Sequence, residues 1–312
     1  MVHSSARAGG VVDADTFRPP RALGVIVGGA FSLWAAFIAL VAGVIAGGGS
    51  IEFTTYLGWV VVALFGSLAL LFGWWTVGIA RLAYRIDDEV LRISWCGNEI
   101  IVPVVDIQRV VPGRTVGEES VTGLNWWGCH IGRGVVSSLG ATLFFATHNR
   151  PDENVFVVKE GRSYGLTVAD QVAFAEACSR RLIVGFEPGE SQRIEPRGLN
   201  LLPLWRDGNA WLVVSFVLVG LGVLGGYLYS QYPSLPTLVQ IEFPSDTGIV
   251  RIGDRSELLR IGAVGGGIVA INLLLGFVLH GIERAASLWL AASAALLQIV
   301  LLSAAIIAFE GA

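Results

Sequence analysis

The sequence predicts a five-helix membrane bundle with a folded β domain inserted between its second and third helices. Three observations carry that expectation. Five apolar runs each supply the roughly 20 helical residues needed to cross a hydrocarbon core of about 30 Å. A polar stretch from Arg81 to Arg206 separates the first two runs from the last three. On entering that stretch the apolar period drops from 3.6 to two, which marks strands. Composition agrees: 54% of the 312 residues are hydrophobic and 15% are charged, more apolar than a typical water-soluble chain of this length.

In chain order, residues 1–20 are small, polar and glycine-containing, and read as a disordered tail. Residues 21–82 hold the first two helices. Their first run, Leu23–Gly47, is about 25 residues long, against 7 to 15 for a signal-peptide core, and so reads as an uncleaved helix. Arg18 and Arg21 precede it, Arg81 and Arg85 follow the second run, Tyr56–Ile79, and the turn between the two carries no positive charge. The positive-inside rule then puts the N-terminus and the inserted domain on the cytoplasmic side of the membrane. The third run, Ala210–Leu228 within 210–229, crosses outward, 230–258 is an extracytoplasmic segment, and the runs Leu259–Leu279 and Ala285–Phe309 within 259–312 leave the C-terminus outside.

The inserted domain spans 83–184. Alternation at Tyr84, Ile86, Val90, Leu91, Ile93 and Trp95 marks strands broken by Asp87–Asp88–Glu89 and by Cys96–Gly97–Asn98. The pattern continues at Ile100, Val102, Val104 and Ile107, with Pro103 at a bend or edge. Further runs at Ala141–Thr147, Val155–Lys159 and Ser163–Leu166 suggest about seven strands. Val172, Phe174, Ala175, Ala177 and Leu182 then recur at helical spacing behind a Thr167 or Asp170 cap. Residues 185–209, with Pro188, Gly189, Pro196 and Gly198, read as a linker back to the membrane.

Three segments carry a family resemblance: Tyr84-Arg-Ile-Asp-Asp-Glu-Val-Leu-Arg-Ile, Ile101-Val-Pro-Val-Val-Asp-Ile-Gln-Arg-Val and Gly165-Leu-Thr-Val-Ala-Asp-Gln-Val-Ala-Phe-Ala-Glu-Ala. Over about Ala83 to Leu182 the chain resembles the bacterial pleckstrin-homology-like (PH-like) domains found beside transmembrane helices. The resemblance implies a PH-like β-barrel capped by a C-terminal helix. Arg92, Arg109 and Arg114 are scattered among acids, so inositol-phosphate binding is not carried over. The segment from Tyr232 to Gly248 is similar to the outer segment of a membrane domain of unknown function, also present in bacterial toxin-immunity proteins, where His stands in place of Glu242.

Asn125-Trp-Trp-Gly-Cys-His-Ile-Gly-Arg-Gly is the densest unusual motif. Trp126, Trp127, His130 and Arg133 are the candidate interaction loop. The other reading is a glycine-rich β connection whose tryptophans fill the barrel end or pack on the helices. Cys129 and His130 are adjacent and would point to opposite faces of a strand, poorly placed to share a proton. No HExxH, GxSxG or P-loop pattern occurs. Cys96, Cys129 and Cys178 are odd in number without a CxxC pair, and are expected as reduced thiols rather than a disulfide framework or zinc site.

Asn272 and Gln298 are the strongly polar side chains deep in the apolar runs, and are expected to hydrogen-bond between helices four and five. The glycine pairs Gly24/Gly28, Gly43/Gly47, Gly222/Gly226 and Gly262/Gly266 are expected to pack helices within the chain. The 81–206 stretch carries 14 Lys and Arg against 15 Asp and Glu, which leaves no basic footprint for nucleic acid.

The functional expectation is a non-enzymatic membrane protein without catalytic residues, metal or cofactor. Its PH-like domain would act as a scaffold or sensor for a cytoplasmic protein partner or for self-assembly. The alternative is a bundle that handles a lipid or small molecule, or gives immunity-like protection, with the domain regulatory.

Overall fold

The computed structural model describes residues 15–117, 119–148, 150–184, 193–196, 202–242 and 250–310. Strand β1 (Asp15–Phe17) leads into helices α1 (Ala22–Gly48) and α2 (Phe53–Ala80). Nine strands follow: β2 (Ala83–Ile86), β3 (Val90–Trp95), β4 (Asn98–Pro103), β5 (Ile107–Pro112), β6 (Glu119–Trp126), β7 (Cys129–Val136), β8 (Gly140–Ala146), β9 (Asn154–Lys159) and β10 (Arg162–Thr167). Helix α3 (Gln171–Val184), strand β11 (Arg193–Pro196) and helix α4 (Gly208–Gln231) come next. The hairpin of β12 (Leu238–Glu242) with β13 (Val250–Asp254) and helices α5 (Arg260–Leu279) and α6 (Arg284–Glu310) complete the order. Helices α1, α2, α4, α5 and α6 are each long and apolar enough to cross a membrane. The expected tail up to residue 14, linker residues 185–192 and 197–201, and 243–249 of the outer segment lie outside the described residues.

The chain divides into two units, Met1–Trp34 with Leu68–Asn200 and Ala35–Ser67 with Leu201–Ala312. In the first, β1-β2-β3-β4-β11 form one sheet and β5-β9-β10-β8-β7-β6 a second, in those orders. Neighbours are antiparallel except β10 with β8. The alternating residues meet between the sheets: Tyr84, Ile86, Leu91 and Ile93 from one, Ile131, Phe145, Val157, Tyr164 and Leu166 from the other. Phe174, Ala177 and Cys178 bring α3 into this core. Asp170 caps α3 by accepting from the Ala173 amide at 2.9 Å. Val116, Val136, Phe144 and Phe156 form a second cluster, so β8 and β9 are apolar on both faces and read as continuous runs.

The expected barrel is not closed. Pro103 ends β4, and a 3-10 turn at Val104–Asp106 carries the chain into the second sheet, where β5 pairs with β9. The edge of β4 is taken by β11 instead, Arg193 opposite Ile101 and Pro196 opposite Asn98. That strand lies in a segment read as linker, and β1 lies in one read as disordered tail. Both gain their structure from a sheet edge. Phe17 packs edge-on against Phe174 at 5.1 Å, and Asp15 pairs with Arg181 at 2.9 Å.

In the second unit α4, α5 and α6 pack through alanine and branched aliphatic side chains, with Val217, Val269 and Ala294 in one cluster and Leu224, Leu228 and Ala305 in another. Tyr56 of α2 lies against Gly222, Gly225 and Gly226 of α4 and donates its hydroxyl to the Gly222 carbonyl at 2.6 Å. Within the first unit, Gly28 of α1 faces Thr76 of α2 so closely that a Cβ there would sit 2.4 Å from its hydroxyl oxygen. Each of the four pairs thus has a glycine that admits a neighbour from the same chain, while Gly47 and Gly266 face open space.

Candidate functional site

The tryptophan-rich motif is a β-hairpin rather than a loop. β6 and β7 pair from Glu119–Val136 to Trp126–Cys129 around a two-residue turn, Trp127–Gly128. Gly128 has φ +82°, and a Cβ on it would fall 2.2 Å from the Gly24 amide nitrogen. The turn therefore rests on the start of α1 through two bare backbones. Trp126 completes the seat, its ring 5.9 Å from Trp75, 6.3 Å from Phe72 and 6.5 Å from Phe31. Trp127 is 77% exposed at the tip.

The alternation of β7 separates the remaining members of the motif. Cys129 and Ile131 face the core, and burial pushes the Cys129 thiol up to about 12. His130 is buried, its Nδ1 2.6 Å from Asn125 Oδ1 across the hairpin. Burial first, and His148 second, hold its pKa below the usual histidine value. A polar network lies at the same end of the sheet: Thr167 donates to Asn154 Oδ1 at 2.6 Å and accepts from the Thr147 amide at 3.0 Å. Asn154 Nδ2 reaches the His148 carbonyl and Glu119. Burial raises the Glu119 carboxyl to about 7.

Arg133 lies two residues beyond Ile131, on the same face of β7. It lines a cleft of about 480 Å³ at the open side of the two sheets. The floor is apolar, with Ile93, Trp95, Leu124 and Phe145, and Ile194 of β11 and Gly123 of β6 stand on opposite walls. Arg162, two residues before Tyr164 on β10, lines it too. Both arginines are exposed, and among the described residues no carboxylate pairs with either. Arg162 was not singled out from the sequence. Counting in twos from the core residue Tyr164 would have found it, once the strand boundaries were known.

Residues 82–182 match the family model of a bacterial PH domain. The match covers about a third of the chain, from β2 into the last turn of α3. Neither a curated protein nor a solved structure matches.

Outside the PH-like segment, the polar residues of α4, α5 and α6 fall in two places. Gln298 of α6 donates to the Gly265 carbonyl of α5 at 3.3 Å. The expected pairing with Asn272 is not formed. Asn272 lies two helical turns from Gly265, beside a cavity of about 170 Å³ that it lines with Trp211, Gly276 and Ser287. At the helix ends, Asp207 caps α4 by accepting from the Asn209 and Ala210 amides and pairs with Arg284 at 2.5 and 3.0 Å. His280 stands between Ser287 Oγ, 3.1 Å from its Nδ1, and Asp207, 3.4 Å from its Nε2. The residue types are those of a hydrolytic triad, but the carboxylate is committed to Arg284, which holds it below the usual carboxylate range. The cluster ties together the ends of three helices.

Proposed function

We propose that the chain is a multi-pass inner-membrane protein whose PH-like unit is a non-enzymatic, cytoplasmic binding module for an extended protein segment. The observation that carries this reading is the open intersheet cleft. The β4 edge already accepts β11 as an added strand, whereas β6 has no partner on its outer side among the described residues. A second extended segment paired to β6 would place alternate side chains over the apolar floor and bring acidic ones to Arg133 and Arg162, the usual division of labour in strand addition. The orientation is supported by Arg18, Arg21, Arg81 and Arg85 clustering at one end of the first helix pair, where Arg21 donates to the Ala80 carbonyl.

The test places a photo-crosslinking residue at Thr122 of β6 in the intact chain in cells. A discrete protein adduct lost in an Arg133→Glu, Arg162→Glu variant is expected. Adducts to lipid alone, or an adduct that survives both charge reversals, would overturn the reading.

A further inference from the structure

A second cleft, of about 400 Å³, lies where α2 ends and the β3–β4 hairpin rests on it. Unlike the intersheet cleft, which is lined by arginines without an acid, it carries charge of both signs beside its tryptophans. Trp74 and Arg81 come from the end of α2, and Ser94, Trp95, Asn98 and Glu99 from the hairpin. The fold fixes these walls firmly. Gly78 leaves room for Cys96, since a Cβ there would sit 2.2 Å from the sulfur, and the thiol reaches the Trp74 carbonyl at 3.5 Å. Cys96 holds φ +46° at the hairpin turn, a conformation rare outside glycine.

The polar groups facing this cleft are of both signs. Arg81 is exposed and has no carboxylate partner among the described residues. The Trp95 indole nitrogen is buried and makes no hydrogen bond there, and it lies against Gly78 in the wall. Glu99 is 3% exposed, with one carboxylate oxygen accepting from Ser94 at 3.2 Å and the other 3.9 Å from Arg92. Trp74 and Arg81 are seven residues apart, about 10 Å along the helix, and bracket the point where its apolar run stops. In a bilayer this is the depth of the headgroups, where tryptophan and arginine anchor helix ends.

We propose that this cleft binds a zwitterionic phospholipid headgroup carrying a phosphate and a primary ammonium, a phosphoethanolamine. The phosphate takes charge-assisted hydrogen bonds from the exposed Arg81 guanidinium. The ammonium lies toward the Glu99 carboxylate and the faces of Trp74 and Trp95. An anionic headgroup without the ammonium would meet Glu99 with a like charge. The proposal rests on the membrane reading above, and the fractionation step below reports on that reading separately.

The test uses the full chain, extracted from membranes in mild detergent and exchanged into nanodiscs holding equal parts of phosphatidylethanolamine and phosphatidylglycerol. Lipid retained after detergent re-extraction is quantified by mass spectrometry. At least fivefold enrichment of phosphatidylethanolamine is expected, falling to the bulk ratio in Arg81→Gln and in Glu99→Gln, with Arg85→Gln unchanged. Millimolar glycerophosphoethanolamine should displace the lipid where inorganic phosphate does not. Equal retention of the two lipids, enrichment that survives Arg81→Gln, or displacement by phosphate alone would overturn the assignment. Recovery of the chain in the soluble fraction would instead overturn the membrane reading, and direct binding of glycerophosphoethanolamine would then decide the cleft's chemistry.

Discussion

The two units differ in the size of the side chains they bury. The β unit hides its largest residues: Tyr84, Tyr164, Phe144, Phe156 and Phe174 are fully buried. The helical unit hides many small ones, Ala294, Ala305 and Gly265 beside Leu224 and Leu228, and turns many large ones outward, with Trp289 76% and Ile307 71% exposed. Water drives the first arrangement, because burying a large apolar side chain is worth about 1.5–3 kcal/mol. The second makes no sense in water and good sense in the proposed bilayer, where lipid is as apolar as leucine and close backbone approach supplies the attraction.

The sharpest way to break this contrast is to truncate one large ring in each unit. Phe174→Ala should cost about 3–5 kcal/mol, read as loss of the cooperative thermal transition of the β unit. Trp289→Ala should stay within about 0.5 kcal/mol in a detergent-solubilised melt. Equal losses would mean that the exposed ring has a protein partner.

Enlarging a small residue should hurt both units. Ala294→Leu should cost about 1–3 kcal/mol by overpacking, although it adds apolar surface. Gly128→Ala should cost a similar amount, since its Cβ would meet the Gly24 backbone at a left-handed φ. Its signature is protease sensitivity at the hairpin tip, which an intact turn would not show. A smaller effect, about 1 kcal/mol or less, is expected for Gln298→Leu, which removes the hydrogen bond to the Gly265 carbonyl.

The pH response should separate the units by the least amount. Burial raises Glu119 from 4.5 to about 7, so the folded β unit keeps a proton that the unfolded chain releases. Its contribution to stability is therefore largest below about pH 4.5 and is lost as pH rises through about 7. Glu119→Gln should flatten the thermal stability of the β unit between pH 5 and 8. A slope as steep as in the parent would assign the titration to another group.

What the sequence revealed differs between the units for the same physical reason. Helices long enough for a bilayer announce themselves, and the expected runs Leu23–Gly47 and Ala285–Phe309 became Ala22–Gly48 and Arg284–Glu310. In the β unit, strands with a buried face were legible at Val90–Trp95 and Val155–Lys159. The β6–β7 hairpin was not, because Gly123, Gly132 and Gly134 interrupt the alternation. Each of these three sits where a Cβ would strike the paired strand. Strands β1 and β11 are three and four residues long and exist through a neighbour's edge, a signal no local pattern contains. The arginine pair at the cleft was hidden because positions 133 and 162 meet only through the neighbouring strands β7, β8 and β10.

The most direct test of the account asks on which side of the membrane the PH-like unit lies. Native Cys96, Cys129 and Cys178 are buried, with thiols pushed up to about 12, so they should be silent toward a maleimide. Single cysteines placed at exposed Glu160, in the β9–β10 turn, and at exposed Thr237, between α4 and β12, supply the reporters. With an impermeant maleimide on intact cells, Thr237→Cys should label at once and Glu160→Cys only after lysis. Immediate labelling of Glu160→Cys would place the PH-like unit outside and contradict the account.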